Sequence, residues 1–276
     1  MGTAEEYLAA PAINTINPSV NPIAYYIDPS RRTDKGLKAT GFAACTPNVL
    51  DLVPAVFQSG SMLMVKASPM DDIQFDIREL SSAGATCRSV FAVAVAGELK
   101  ELLYILTPQY QQNEAPEPVI NAVNLNSGQT ALLSFTRTAE QIAESRYSVP
   151  LKYLYEPNAA VLKAGAFKVV AQKFGLFKLH PNTHLYTSDK LVVEFPGRIF
   201  EIAELLPVSG KALKEHLPGM KANLSVRNFP IGVDDLRKQL KLKEGGDFHV
   251  FAFTAGEDSN KTLAITKRVS LLLKIN

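Results

Sequence analysis

Apolar and polar positions along this chain fall into short β-branched and aromatic runs that stop at turn residues. The first, Ile23-Ala24-Tyr25-Tyr26-Ile27, ends in Asp28-Pro29-Ser30-Arg31-Arg32. A continuous apolar run bounded in this way predicts a buried parallel strand. Proline disfavours the α conformation in the residue before it, so Asp28 is expected to stay extended at the strand's carboxyl end. In open α/β sheets that end is where ligands bind, and functional residues concentrate on such loops. An Asx-type turn carrying two solvated arginines is the plainer alternative.

The pattern then alternates. Met62-Leu63-Met64-Val65-Lys66-Ala67 predicts a second strand, stopped by Ser68-Pro69, and Val90-Phe91-Ala92-Val93-Ala94-Val95 a third. Ala96-Gly97 permits a tight reversal into a last strand over 99–106. Between the strands, the stretch 46–54 opens a helix, with Thr46 as N-cap and Pro47 at the first helical position. A second helix is predicted over 71–80, where Ile73, Ile77 and Leu80 recur at helical spacing. A short helix is expected over 5–8. Strand, helix, strand, helix, strand and a reversed last strand make a partial doubly wound α/β pattern.

Residues 109–118, rich in Gln, Glu and Pro, read as a boundary. Beyond it, runs at 122–125 and 131–135 around Ser127-Gly128 predict a hairpin, and 139–146 a short helix. Pro157 suits a first helical turn and Gly175 a carboxyl cap, predicting a helix of about five turns. Its buried stripe would be Leu162, Ala166, Val169, Val170 and Phe174, with Lys163 and Lys168 solvated. A new unit starts at Phe195-Pro196-Gly197-Arg198-Ile199-Phe200. It holds helices over 211–217 and 233–240 and strands over 224–229, 247–254 and 262–267, a compact α/β pattern. A chain of 276 residues is long enough for two or three domains. The expected division is 1–116, 117–194 and 195–276.

Composition adds two constraints. The formal net charge of +2 is uneven: residues 1–150 carry 10 Lys/Arg against 15 Asp/Glu, and residues 151–276 carry 19 against 12. The basic back half is the better candidate for a polyanionic partner, with an ordinary solvated basic surface as the alternative. No apolar run reaches the roughly 18 residues of a membrane helix, and the first residues do not form a signal peptide. No membrane partner is therefore expected. Cys45 and Cys87 have neither metal nor disulfide spacing, which fits a reducing cytoplasm. His180 and His184 are four apart, but Pro181 disfavours the helix that would put them on one face, and no third ligand stands at a recognisable spacing. No metal is expected. A Gly-x-Gly-x-x-Gly pattern is absent from the sequence.

Local motifs carry a family resemblance. Tyr26-Ile27-Asp28-Pro29-Ser30-Arg31-Arg32 resembles the fourth motif of class I S-adenosylmethionine (SAM) methyltransferases, in a variant with paired arginines. Val65-Lys66-Ala67-Ser68-Pro69-Met70-Asp71 and Gly97-Glu98-Leu99-Lys100-Glu101-Leu102 resemble one bacterial branch of them. Further on, Tyr155-Glu156-Pro157-Asn158, Leu185-Tyr186-Thr187-Ser188-Asp189, Phe195-Pro196-Gly197-Arg198 and Arg227-Asn228-Phe229-Pro230 resemble the ferredoxin-like and THUMP-like domains that end that branch. The resemblance runs from Gly2 to about Arg268. It implies the carboxyl half of a methyltransferase sheet, then a ferredoxin-like α+β unit and a THUMP-like α/β unit.

Function follows from the same resemblance as an expectation. THUMP domains deliver RNA to a catalytic domain, so an RNA substrate is implied. Asp28 and Pro29 would hold the methyl acceptor, Asp28 by accepting a hydrogen bond. Arg31 and Arg32 suit phosphate or cofactor-carboxylate contacts. Arg198, Arg227, Arg237, Lys238, Lys241 and Lys243 are the candidates for phosphate binding, chosen for charge and location. One departure is large. The family's SAM site lies on its first two strands, with a glycine-rich loop and a ribose-binding acid, and neither precedes Ile23. Thr3 stands where the family places an adenine-contacting acid. The sequence thus reads as beginning inside a methyltransferase domain, with SAM the cofactor of the complete family enzyme and none expected for this chain alone. Two functions remain open: the carboxyl portion of an RNA methyltransferase, and a non-catalytic RNA-binding adaptor derived from one.

Calorimetry tests the departure. Each lost charge-assisted hydrogen bond costs about 1.5–3 kcal/mol, enough in sum to carry a micromolar affinity beyond millimolar. SAM should give no measurable heat of binding with this chain. A micromolar isotherm would place a cofactor site within these 276 residues.

Overall fold

The computed structural model describes residues 24–30, 41–59, 62–109, 116–126, 129–256 and 258–270. The helix expected over 5–8, and Ile23, Arg31 and Arg32, lie outside these residues. The chain divides into two compact units, Met1–Ala139 with Ala159–Gly165, and Glu140–Asn158 with Ala166–Asn276.

The first unit is built on a six-stranded sheet in the order β1-β2-β4-β3-β5-β6. Its strands are β1 (Ala24–Ile27), β2 (Met62–Ala67), β3 (Ala85–Val95), β4 (Glu98–Pro108), β5 (Val119–Asn126) and β6 (Gln129–Phe135). The β1–β2 pair is parallel, with Ile27 opposite Val65. The reversed strand β4 inserts between β2 and β3, antiparallel to both. What turns β3 into β4 is a two-residue reversal in which Ala96 (φ 51) and Gly97 (φ 83) are both left-handed, the form whose twist matches a hairpin. The hairpin β5–β6, assigned by sequence to the following unit, continues this sheet, since β5 pairs in parallel with β3 from Ser89–Val119 to Val95–Leu125.

Two expectations about this unit are corrected. Strand β1 is parallel but not buried. Among the described residues it pairs with β2 alone and sits at the sheet edge, and Tyr26 is 58% exposed. The helix after it, α1 (Val49–Ser59), starts later than expected. Asn48, not Thr46, caps it, its Oδ1 accepting from the Leu50 N–H at 3.0 Å. Thr46 instead exchanges two backbone hydrogen bonds with Ser30, at 2.8 and 2.9 Å. Pro54 lies inside the helix on its exposed side, while Leu52, Val53 and Val56 bury the apolar face.

The next helix, α2 (Ile73–Ser82), is capped by Asp72, which accepts from Phe75 N at 2.7 Å. It delivers one charged group to the core. Asp76 is 1% exposed, and Tyr104 on β4 donates its hydroxyl to the carboxylate at 2.6 Å. Phe42 packs edge-on against the Tyr104 ring at 5.9 Å, and Glu79 holds Phe42 by accepting its N–H at 2.9 Å.

The second unit holds a seven-stranded sheet in the order β11-β12-β13-β10-β7-β9-β8. Its strands are β7 (Tyr153–Pro157), β8 (Phe177–His180), β9 (Thr183–Ser188), β10 (Gly197–Pro207), β11 (Asn223–Arg227), β12 (Phe248–Ala255) and β13 (Asn260–Arg268). Strand alternation gives the sheet two faces. On one, Leu206, Val250, Leu263 and Ile265 pack with Leu213, Leu236 and Leu240, which come from the helices Gly210–His216 and Val233–Leu240. On the other, Leu154, Phe200, Phe251 and Phe253 pack with Leu179 and Leu185 of the β8–β9 hairpin.

Among the described residues, four α-helices follow α2 before the last, namely α3 (Arg137–Ile142), α4 (Ala159–Ala164), α5 (Lys168–Phe174) and α6 (Gly210–His216), with α7 (Val233–Leu240) closing the series. The five-turn helix expected between Pro157 and Gly175 is therefore two short ones. Gly165, at φ 78, breaks it, and Pro157 belongs to β7. The Glu140 carboxylate then caps the restart, accepting from Phe167 N (3.1 Å), Lys168 N (2.8 Å) and Val169 N (2.9 Å). Four orphan N–H groups at a helix start need such partners. Lys163 is not solvated as expected, since its Nζ donates to the Asp71 carbonyl at 2.6 Å. Gly175 does cap α5 in the left-handed conformation, at φ 64.

The Asp76 pair yields a pH-dependent prediction. Burial pushes the Asp76 carboxyl up from 3.8 to about 6, against the Tyr104 hydrogen bond that lowers it. A folded pKa raised above the unfolded one contributes stability that is complete below the unfolded value and fades as pH rises through the folded value. Replacing Tyr104 with Phe removes the donor. The loss should be about 1.5–3 kcal/mol at pH 8, where the carboxylate is charged, and clearly smaller at pH 5. Urea unfolding at the two pH values measures this, and an equal loss at both would show that the bond does not act on the charged form.

Candidate functional site

At the carboxyl end of β1, the β1–β2 register places Asp28 beside Lys66 of β2. The two side chains form an ion pair, with the Asp28 carboxylate half-exposed. The hydrogen bond that the Lys66 ammonium donates to Asp28 holds it above its ordinary pKa, against the opposing effect of burial. Pro29 is buried, and the Ser30–Thr46 bridge fixes the chain that leaves it. Asp28 is thus an oriented acceptor at an open sheet end, with one carboxylate oxygen, Oδ2, turned to Lys66. Arg31 and Arg32, named with it as candidates, lie outside the described residues.

Among the described residues this sheet end has no glycine-rich loop after a strand, the element whose backbone could approach a nucleoside cofactor. No group of three His, Cys, Asp or Glu side chains among the described residues could hold a metal ion. His184 stacks on the Phe167 ring at 3.8 Å, where burial and the nearby Lys178 charge push it down to about 4.

The structure separates the six basic candidates into two groups. Arg198 on β10 and Arg227 on β11 meet at Glu156 of β7, whose carboxylate is 3% exposed. Arg198 donates Nε at 2.7 Å, with Nη2 on the same oxygen, Oε2, and Arg227 donates Nη2 to the other oxygen, Oε1. A buried carboxylate is tolerated when cations and hydrogen bonds satisfy it. Both guanidinium groups keep an outward side, at 43% and 36% exposure.

The other four lie around α7, which packs on the opposite sheet face. Arg237 is mostly buried, with Glu244 3.9 Å from its Nη2 and Nη1 unpartnered among the described residues. Lys238 is exposed. Lys241 occupies the left-handed cap of α7 at φ 55, and Lys243 passes its N–H to the Met220 carbonyl at 2.8 Å, its side chain outward.

Sequence reasoning missed a cleft of about 410 Å³ beside the Glu156 cluster, into which Arg198, Arg268, Asn223, Phe248 and His249 project. Its wall is aromatic: His249 stacks on Phe251 with centroids 4.4 Å apart and lies 5.1 Å from Phe200. The His249 Nε2 pairs with Ser225 Oγ at 2.8 Å. Burial, then the charge of Arg198, pushes this imidazole down to about 4. The alternation of His249, Phe251 and Phe253 put one face of β12 within reach of inspection. Arg268 could join them only through the β10–β13 register, which sets it opposite Phe200.

Residues 153–196 match the model of a ferredoxin-like domain, and residues 197–268 match the model of a THUMP-like domain. Two curated relatives from Mycobacterium tuberculosis, strains CDC 1551 / Oshkosh and ATCC 25618 / H37Rv, are named as uncharacterised SAM-dependent methyltransferases. Each is 30% identical over 95 residues, which is 33% of this chain and 26% of the relative. A crystal structure from Porphyromonas gingivalis W83, of a protein named as a candidate methyltransferase, superposes with a TM-score of 0.80 at 33% identity. That match covers 96% of this chain and 63% of the other. The chain thus spans less than two thirds of the proteins it matches. The chain is thus mixed α/β, similar over residues 153–196 to a ferredoxin-like domain and over residues 197–268 to a THUMP-like domain, and related by sequence and fold to proteins named as methyltransferases.

Proposed function

We propose that this chain is part of a SAM-dependent methyltransferase that acts on RNA, with the second unit binding the RNA and Asp28-Pro29 on the acceptor side. The observation that carries this reading is the THUMP-like match over residues 197–268 on a unit whose two faces both present cations. The relatives' names support the methyl transfer, in which SAM supplies the methyl group. No step through SAM is assigned to the described residues. Their part is to hold partners. Asp28, oriented by Lys66, accepts a hydrogen bond from an amine or hydroxyl at the sheet end. Lys238, Lys241 and Lys243, with Arg237 behind them, meet phosphates as point charges and position the RNA without reading bases.

Filter binding of structured RNA to the full chain tests the reading. Affinity should fall steeply between low and moderate salt, as counterion release requires. The double substitution Arg237→Ala and Lys238→Ala should weaken all RNAs alike and flatten the salt slope by about one for each phosphate contact removed. Binding that is absent, or indifferent to salt, would overturn the RNA assignment.

A further inference from the structure

The cleft beside Glu156 holds more donor capacity than its neighbours use. Arg198 spends Nε and Nη2 on Glu156, and its Nη1 has no partner among the described residues. Arg268, the last residue of β13, is exposed and forms no ion pair among the described residues. Both guanidinium groups line the same cleft. The imidazole of His249 lines the same cleft, disfavoured as a cation first by burial and then by Arg198, with Glu156 opposing and Arg227 and Arg268 adding to the effect. With Arg198 and Arg268 on the lining against the single carboxylate of Asp247, the cleft attracts an anion.

The rest of the lining has a different chemistry. Phe248 is half-buried at the start of β12, with the Lys267 ammonium 4.9 Å from its ring centroid. Asn223 brings a side-chain amide, and Asp247 a carboxylate that can accept from a hydroxyl or an exocyclic amine. The volume, about 410 Å³, lies in the range of small-molecule sites. An anion alone needs neither this space nor an aromatic rim.

We propose that this cleft binds one phosphorylated nucleoside, with its phosphate on Arg198 and Arg268 and its base against Phe248. Guanidinium forks match phosphate oxygens, and base stacking on an aromatic ring tolerates any base. The site stands on its own chemistry. Its role as the seat of one RNA nucleotide rests on the proposed RNA function.

His249 is a resident reporter for the test. Adenosine 5′-monophosphate, adenosine and inorganic phosphate are titrated into the full chain while the His249 imidazole resonances are followed by NMR. A single-stranded RNA hexamer follows as a separate arm. The monophosphate should shift and saturate the His249 signals and raise the pH at which the imidazole titrates, because an anion has arrived beside it. Adenosine or phosphate alone should bind at least tenfold more weakly. Arg268→Ala should weaken the monophosphate at least tenfold, and Arg268→Glu should abolish its binding, the dispersed His249 signal of each variant confirming the fold. If the monophosphate leaves His249 unmoved, or Arg268→Ala binds it as the parent does, the site is wrong. If the monophosphate binds and the hexamer does not, the cleft serves a free nucleotide, and the RNA function fails while the site stands. If RNA binds with Arg237 and Lys238 needed and His249 unmoved, the site fails and the RNA function stands.

Discussion

The second unit depends on one buried carboxylate. Glu156 comes from β7, and its two oxygens are taken by guanidinium groups from β10 and β11, strands that are not neighbours in the sheet. A carboxylate removed from water is strongly unfavourable alone, and a pair of arginines reverses that only while both stay in reach. The sheet must therefore curl until its ends approach. Other bonds close the same gap: Asn228 donates to Thr183 Oγ1 at 3.2 Å, Thr183 donates to the Thr254 carbonyl at 2.7 Å, and Gly256 N donates to the Leu179 carbonyl at 2.9 Å. At Gly197 the backbones come so close that an added Cβ would lie 2.1 Å from the Glu156 carbonyl oxygen. Glycine is what lets β10 lie against β7 where Arg198 begins.

The first unit solves the same problem in another way. Asp76 is as deeply buried as Glu156, but its partner is a neutral phenol. A neutral donor offsets part of the desolvation and leaves the acid free to take up a proton. At Glu156 two guanidinium groups do this work instead. The two sheets thus bury their acids by different means, one against a neutral donor and one between a pair of cations.

Much of the architecture was legible because the period-2 and period-3.6 patterns were clean. Strand β2, the β3–β4 hairpin with its Ala96-Gly97 reversal, helix α7 and the β12–β13 pair stand where the pattern put them. The failures have identifiable causes. An apolar stripe from Leu162 to Phe174 looked continuous, but Gly165 and the distant Glu140 carboxylate cut the helix in two, and neither a left-handed glycine nor a cap from 27 residues away shows in local periodicity. Strand β1 looked buried, but among the described residues it pairs with β2 alone, and an apolar run does not show how many neighbours a strand has. For the site, Arg198 and Arg227 were singled out by charge, yet the carboxylate that unites them had no signal beyond its motif. Arg268 and His249 became visible only with register in hand.

Strand β10 begins where the ferredoxin-like match ends and the THUMP-like match starts. It is hydrogen-bonded on one side to β7 from the first region and on the other to β13 from the second. Recombination that exchanged either region alone would leave β10 with an unmatched flank and strip Glu156 of its arginines. These two stretches, separable as sequence profiles, therefore behave as a single heritable part, and lineages are expected to gain or lose them together.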